Sequence, residues 1–530
     1  MTCANRSSVV TASLPFAHFC VSVWNGFTAA VALSLFSVSA ASAGEPPAST
    51  LADLQNNLSA HISQPRFDAA TWGVKVVSLD SGRTLFQNNP QKLFSPASNS
   101  KLYTVALGLD RLGSDFRIKT SLYATSKPTR SGVLKGDLIL YGRGDPTINA
   151  RIHSNDIFQA LEPLVVGLTN AGIKRIDGNL VADESFFRGK PWGSGWAWDD
   201  LEYYYGAEIS ALTINDNTLL LHLKPGATVG SPCVLSLEPP LPMVRLENQT
   251  RTTAAGTRKD ISLFRPLEDN IVYVSGEIPS GEPAYTEDVT MREPARMFLW
   301  FFKEALARHG IKIRGKLQVP GPFNPAAKTK APSNCIELGS LDSLPMREIA
   351  REIMKPSQNL YTDLLLAQVG EKTRSSDTPA DTTSEALGIR ELNKFLREIG
   401  IRKGDVLFEE GSGLSRNNLT TPNATVGLLQ FMSRHKCADA YRDALPIAGV
   451  DGTLRRRMKD TAAAGNVRAK TGTLRWANSL SGYVTTAAGE HLAFSFMLNR
   501  YQNPDSKSSA RNDLDELAIM LAEYSGKMGN

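Results

Sequence analysis

The chain has 530 residues, with 58 lysines and arginines against 53 aspartates and glutamates, a formal net charge of +5. At roughly 100–200 residues per domain this length asks for about three units or one large body with insertions, and 42% hydrophobic with 21% charged residues excludes disorder and fibre. So weak a charge, with no Lys/Arg run interleaved with aromatics, also argues against nucleic acid as a partner.

Residues 19–43 are small and apolar, and Ala41-x-Ala43 followed by Gly44-Glu45-Pro46-Pro47 has the form of a signal-peptidase site. Residues 1–43 therefore read as a signal peptide, which places the mature protein in the periplasm, soluble or loosely membrane-associated. The charged n-region is thin, with Arg6 alone besides the terminus, so an uncleaved anchor is the rival reading. No later window approaches ~18 unbroken apolar residues. Export removes Cys3 and Cys20. Cys233, Cys335 and Cys437 remain, which allows at most one disulfide and does not say which.

Thr71–Leu79 and Thr84–Gln87 alternate around Asp80-Ser81-Gly82-Arg83, a β-hairpin pattern. Pro96 introduces a helix expected over Ser98–Leu112. From about 119 to 329 the texture changes to short strand-like runs (Leu134–Tyr141, Leu219–Leu223, Asn270–Val274) between Gly/Pro turns. An internal echo runs through it: Gly172-Ile173-Lys174 then Gly178-Asn179-Leu180, and Gly310-Ile311-Lys312 then Gly315-Lys316-Leu317. Gly400-Ile401-Arg402 repeats its first part. Each reads as a helix ended by a glycine and followed by a strand. Val467–Thr473, Ser479–Thr486 and His491–Asn499 read as three strands, and Ser508–Tyr524 as a closing helix. The hairpin and the three late strands then make one antiparallel sheet, covered by helices from both ends, with the middle inserted.

Several motifs are decoys. Gly310-x4-Gly315-Lys316 is one residue short of a phosphate loop, its next residue Leu317 has no hydroxyl for magnesium, and it runs from helix to strand. The histidines never fall as His-x3-His, and there is no Gly-x-Ser-x-Gly elbow. Trp192, Trp196, Trp198 and Tyr203–Tyr205 have the surfaces to hold a sugar, but beside Gly193 and Gly195 they read better as a packed corner.

The chemistry lies elsewhere. Ser98-Asn99-Ser100-Lys101 starts a helix, so Ser98 and Lys101 share one face, and the Ser98 N–H belongs to the unsatisfied donors of the helix start. A serine hydroxyl becomes a nucleophile only when a base takes its proton, and a lysine serves only when its pKa is lowered by burial or a second cation. Ser357-Gln358-Asn359 follows Lys355-Pro356 and falls at a helix–helix corner, where the serine relays a proton and the asparagine both donates and accepts. Lys470-Thr471-Gly472-Thr473 lies on the first late strand: Lys470 binds a carboxylate and depresses the Lys101 pKa, Gly472 permits close approach, and the Thr473 N–H is a second oxyanion donor beside Ser98.

Together, in this order, these are the Ser-x-x-Lys, Ser-x-Asn and Lys-Thr-Gly elements of penicillin-binding proteins and class A β-lactamases. The chain resembles the class C low-molecular-weight penicillin-binding proteins, D-alanyl-D-alanine carboxypeptidases/endopeptidases of the cell wall. The resemblance extends through Gly144-Asp145-Pro146, Asp183–Phe187, Gly195-Trp196-x-Trp198-Asp199-Asp200, Tyr205-Gly206-Ala207, Gly411–Arg416 and Asp451-Gly452-Thr453-Leu454. Glu410 departs from it, standing where the family more often has Asp.

The resemblance implies an α+β, multidomain fold: a serine β-lactamase/transpeptidase-like domain split between 44–118 and 330–530, with 119–329 as a large α/β insertion of two small nested domains. It implies Ser98, Lys101, Ser357 and Asn359 as catalytic residues and Lys470, Thr471, Gly472 and Thr473 as substrate-binding ones. It implies peptidoglycan stem peptides as substrate, β-lactam antibiotics as inhibitors, and no metal or cofactor. A class A β-lactamase would need a glutamate three residues before Leu392-Asn393, where this chain has Ile389. A non-catalytic wall-binding protein should have lost a motif residue, and none is lost.

Overall fold

The computed structural model describes residues 48–320, 334–503 and 509–526. The expected signal peptide lies outside the described residues.

The two ends of the chain meet in one five-stranded antiparallel sheet, in the order Arg468–Leu474, Ala477–Thr485, His491–Asn499, Thr71–Ser78, Thr84–Asn88. Strands Thr71–Ser78 and His491–Asn499 are buried on both faces rather than alternating, because helices cover both sides. One face packs Val74, Val76, Phe494 and Phe496 against the terminal helices Leu51–Ile62 and Ala510–Glu523. The other packs Val77 and Ala493 into a core with helices Ser100–Leu112, Met346–Met354, Asn359–Thr373 and Pro422–Met432. Asn359–Thr373 is buried almost all round, as a helix at the centre of a core must be.

Between these halves lies a second five-stranded sheet, ordered Leu317–Gln318, Leu180–Asp183, Leu138–Tyr141, Lys119–Ala124, Ile336–Asp342. Its last strand pairs antiparallel with Lys119–Ala124, so this sheet runs past residue 329 to Asp342. Helices Ile157–Asn170 and Pro294–Arg308 cover it. Two three-stranded sheets built from 218–290 enclose a separate small core of Leu221, Leu223, Val272, Val274 and Ile278.

The internal echo has a structural meaning. Arg175 pairs in parallel with Lys312, and Leu180 with Leu317, so the first two copies lie side by side. A third short piece, Val133–Leu134 and Leu138–Tyr141, joins the same two ladders, which is why the run expected over Leu134–Tyr141 is two strands. A Cβ on Gly178 or Gly315 would overlap the backbone of the neighbouring copy, at Gly136 and Gly178 respectively. The Gly400 copy stays outside: its strand Val406–Leu407 pairs with Leu419–Thr420. The described residues form one compact unit. Among the described residues no helix is long and apolar enough to cross a membrane, and Cys233, Cys335 and Cys437 are free thiols.

Candidate active site

Ser98 sits in a single 3-10 turn, Ala97–Asn99, and the α-helix proper starts at Ser100, two residues later than expected. Ala97 has φ +48, a left-handed conformation that a side chain adopts only when its surroundings hold it there. Those surroundings come from the sheet. Ser479 Oγ donates to the Pro96 carbonyl at 2.6 Å, and Asn99 Nδ2 donates to Ser481 Oγ at 2.8 Å. Both serines lie on the second strand, and the edge strand stands between them and the turn. The bridge passes at Gly472, where a Cβ would overlap the Ser479 hydroxyl and the Pro96 carbonyl. Gly472 is thus the gap that lets the sheet hold the turn that carries Ser98.

Lys101 is fully buried directly behind half-buried Ser98. Its Nζ donates to Ser98 Oγ at 2.9 Å, to Asn359 Oδ1 at 2.6 Å and to the Ser412 carbonyl at 2.7 Å. Burial pulls the amine down from 10.5 to about 8, opposed chiefly by the carboxylate of Glu410. A lysine so poised is a base near neutral pH.

The helix–helix corner brings the second group in. Ser357 has φ +68 and lies in the turn between Met346–Met354 and Asn359–Thr373. Lys470 Nζ, also fully buried, donates to Ser357 Oγ at 2.7 Å and to the Thr471 carbonyl at 2.9 Å. Asn359 Oδ1 receives Lys101, while its Nδ2 donates to the Tyr205 carbonyl at 2.9 Å. Thr471 Oγ1 donates to Thr453 Oγ1 at 2.8 Å, and exposed Thr473 lies on the edge strand of the sheet. The structure therefore brings all eight residues expected from sequence together around Ser98.

One expectation fails in its cause. Lys470 was to depress the Lys101 pKa, but burial does this. The repulsion between the two amines falls on Lys470, which burial and Lys101 together push well below the usual lysine range.

Behind Lys101 stand two carboxyls: sequence reasoning noted Glu410 without giving it a role, and missed Asp363. Glu410 is fully buried and accepts from Ser412 N, Ser412 Oγ, Gly413 N and Asn418 Nδ2 at 2.5–2.8 Å. Asp363 accepts from Gly411 N at 2.9 Å, and its carboxyl is pushed well up by burial and by Glu410. The available signal was an acid four residues after Asn359, directly before the apolar run Leu364–Ala367. The aromatic corner is partly what was expected: Trp196 packs on Gly193, and Tyr205 stacks on Tyr203 at 5.3 Å. Trp198, Tyr203 and Tyr204 nevertheless stay 69%, 48% and 51% exposed.

Comparison with known proteins bears on this geometry. Residues 54–521 match the model of the D-Ala-D-Ala carboxypeptidase 3 (S13) family. A D-alanyl-D-alanine carboxypeptidase of Actinomadura sp. (strain R39) is 32% identical over 487 residues, covering 90% of this chain and 86% of the relative. A second such carboxypeptidase, from Haemophilus influenzae, is 26% identical over 453 residues, 85% of this chain and 90% of its own. The crystal structure of Haemophilus influenzae penicillin binding protein 4 superposes with a TM-score of 0.74 at 25% identity, over 87% of this chain and 98% of the other. The chain belongs to the D-Ala-D-Ala carboxypeptidase 3 (S13) family.

Proposed function

We propose that this serine-type D-alanyl-D-alanine carboxypeptidase and/or endopeptidase cuts peptidoglycan stem peptides through an acyl-enzyme on Ser98. Neutral Lys101 takes the Ser98 proton as Oγ attacks the carbonyl of the penultimate D-alanine. The oxyanion is held between the backbone N–H groups of Ser98 and Thr473. The C–N bond then breaks, and Ser357 passes a proton to the leaving amine. Lys470, with Thr471 and Thr473, holds the terminal carboxylate, whose arrival restores the charge that burial and Lys101 disfavour on Lys470. Water releases the acyl group and frees Ser98. Asn359 ties Lys101 to the substrate side of the cleft.

The observation that carries this reading is the buried Lys101 amine 2.9 Å from Ser98 Oγ. A penicillin mimics the acyl-D-Ala-D-Ala bond and leaves a stable adduct; the Haemophilus influenzae penicillin binding protein 4 has been crystallised with a β-lactam. Export to the periplasm follows from the reading of residues 1–43. The nested domain arrangement is supported by separate cores for the terminal sheet, the inserted sheet and the 218–290 strands.

Intact-protein mass after penicillin should rise by one adduct, and purified protein should release free D-alanine from a D-Ala-D-Ala peptide. Ser98→Ala should do neither. An adduct that persists in Ser98→Ala, or no adduct on the native chain, rejects the mechanism.

A further inference from the structure

Lys101 is buried with three hydrogen-bond partners, and all three are neutral. An ammonium in such a place is stable only with a counter-charge close by. The titratable groups that face it are Glu410 from the loop after Leu407, Asp363 from the helix Asn359–Thr373, and Lys470 from the edge strand.

Asp363 is not the counter-charge. One of its oxygens accepts from Gly411 N, and the other is buried without a partner, an arrangement that suits a protonated acid. Glu410 is built the opposite way. One oxygen accepts from Ser412 N at 2.8 Å and Ser412 Oγ at 2.5 Å. The other accepts from Gly413 N at 2.7 Å and Asn418 Nδ2 at 2.8 Å. Four donors on two oxygens describe a carboxylate, since a protonated or amide group would turn a donor against a donor. No cation is ion-paired to it among the described residues, so its charge is left to act on Lys101. It is also mechanically joined to Lys101, because Ser412, whose N–H and hydroxyl it holds, supplies the carbonyl that Lys101 touches at 2.7 Å.

We propose that Glu410 is the counter-charge that sets the proton affinity of Lys101, acting as a positioning residue through the loop it gathers around its carboxylate. The proposal rests on the reading of Lys101 as the base for Ser98. The charge of Glu410 makes Lys101 harder to deprotonate, and in exchange keeps the amine seated between Ser98, Asn359 and Ser412.

The test is the rate of acylation by a fluorescent penicillin, measured from pH 5 to 10. The native chain should show an acid limb near pH 8, where Lys101 loses its proton. Glu410→Gln removes the charge and should move that limb down by about one pH unit, with a lower plateau because the loop is miswired. Glu410→Asp keeps the charge and should leave the limb in place. A folded Glu410→Gln protein with the limb unmoved overturns the proposal, since a purely structural residue changes the plateau alone. If Glu410→Gln does not fold, Glu410→Asp against Glu410→Asn repeats the comparison on a shorter arm, with the same two outcomes. Failure of the underlying reading looks different: the native chain forms no adduct, or Ser98→Ala still forms one, and the proposal then falls with it.

Discussion

Gly472 shows how much of the site depends on one missing atom. The edge strand, the nucleophile turn and the Ser479 hydroxyl converge on the space its Cβ would fill. In Gly472→Ala the new methyl meets the Ser479 hydroxyl and the Pro96 carbonyl, and lies 3.2 Å from Ala97 Cβ. The strand and the turn must then separate, which moves Ser98 relative to Thr473. Overpacking of this kind costs about 1–3 kcal/mol of stability, whereas a shift on the order of 1 Å in a catalytic constellation costs on the order of 100-fold in rate. Gly472→Ala should therefore stay folded and acylate about 100-fold more slowly. Acylation kinetics beside a thermal melt check this, and a rate within a few-fold of the native one refutes it. The candidate site residues were legible in sequence because each motif carries its chemistry in residue types a few positions apart. What Glu410 and Ser412 serve was not, because that partner is 311 residues from Ser412. No local spacing reveals such a contact.

At the scale of the element, the terminal helices matter most. Leu51–Ile62 and Ala510–Glu523 close one face of the catalytic sheet, and His61 in the last turn of the first is buried there. Its ring lies 6.1 Å from Phe67 and 6.3 Å from Trp72, its Nε2 has no partner, and Arg66, paired to Asp513 at 2.9 Å, stands nearby. Burial, helped by the Arg66 charge, lowers His61 from 6.5 to about 4. The unfolded chain thus binds the extra proton first as pH falls. The stability is whole above pH 6.5, declines through the window down to about pH 4, and is lost below it. Between pH 7 and 5 this amounts to about 2 kcal/mol, or a few degrees of melting temperature. His61→Leu should lose that part of the acid sensitivity. If its melting point falls as far as the native one between pH 7 and 5, the assignment is wrong. The five-stranded sheet that these helices cover was readable from short strand-like runs and the turn residues between them. The cover itself was readable only as two apolar helices at opposite ends of the chain.

For the whole molecule, the question is how the long insertion bears on a site made by the chain's two ends. The sequence showed that something is inserted, from the gap between Lys101 and Ser357. It did not show that the sheet continues to Asp342, because strand pairing between residues more than 200 apart leaves no local pattern. Nor did it show the joints. Tyr205 lends its carbonyl to Asn359, Ser194 bonds Glu385, and Arg151 pairs with Glu352. The tightest joint is Tyr361, two residues after Asn359 and fully buried. Its hydroxyl donates to Asp216 and accepts from Asn149 Nδ2 at 3.2 Å. Asn215, Asp216 and Asn217 all have φ of +50 to +57, three left-handed residues in a row, a strain that persists only where contacts hold it. Tyr361→Phe removes the hydroxyl and leaves Asp216 without that bond, at a cost of about 1–3 kcal/mol. Residues 213–218 should then exchange amide hydrogens faster than in the native chain. Asn359, on the same helix turn, should lose its fixed geometry, so D-alanine release falls several-fold while every motif residue is intact. Hydrogen exchange by mass spectrometry and turnover on a D-Ala-D-Ala peptide read the two effects separately. If both are unchanged, the insertion frames the cleft without holding it; if exchange rises and turnover does not, the joint secures the insertion alone.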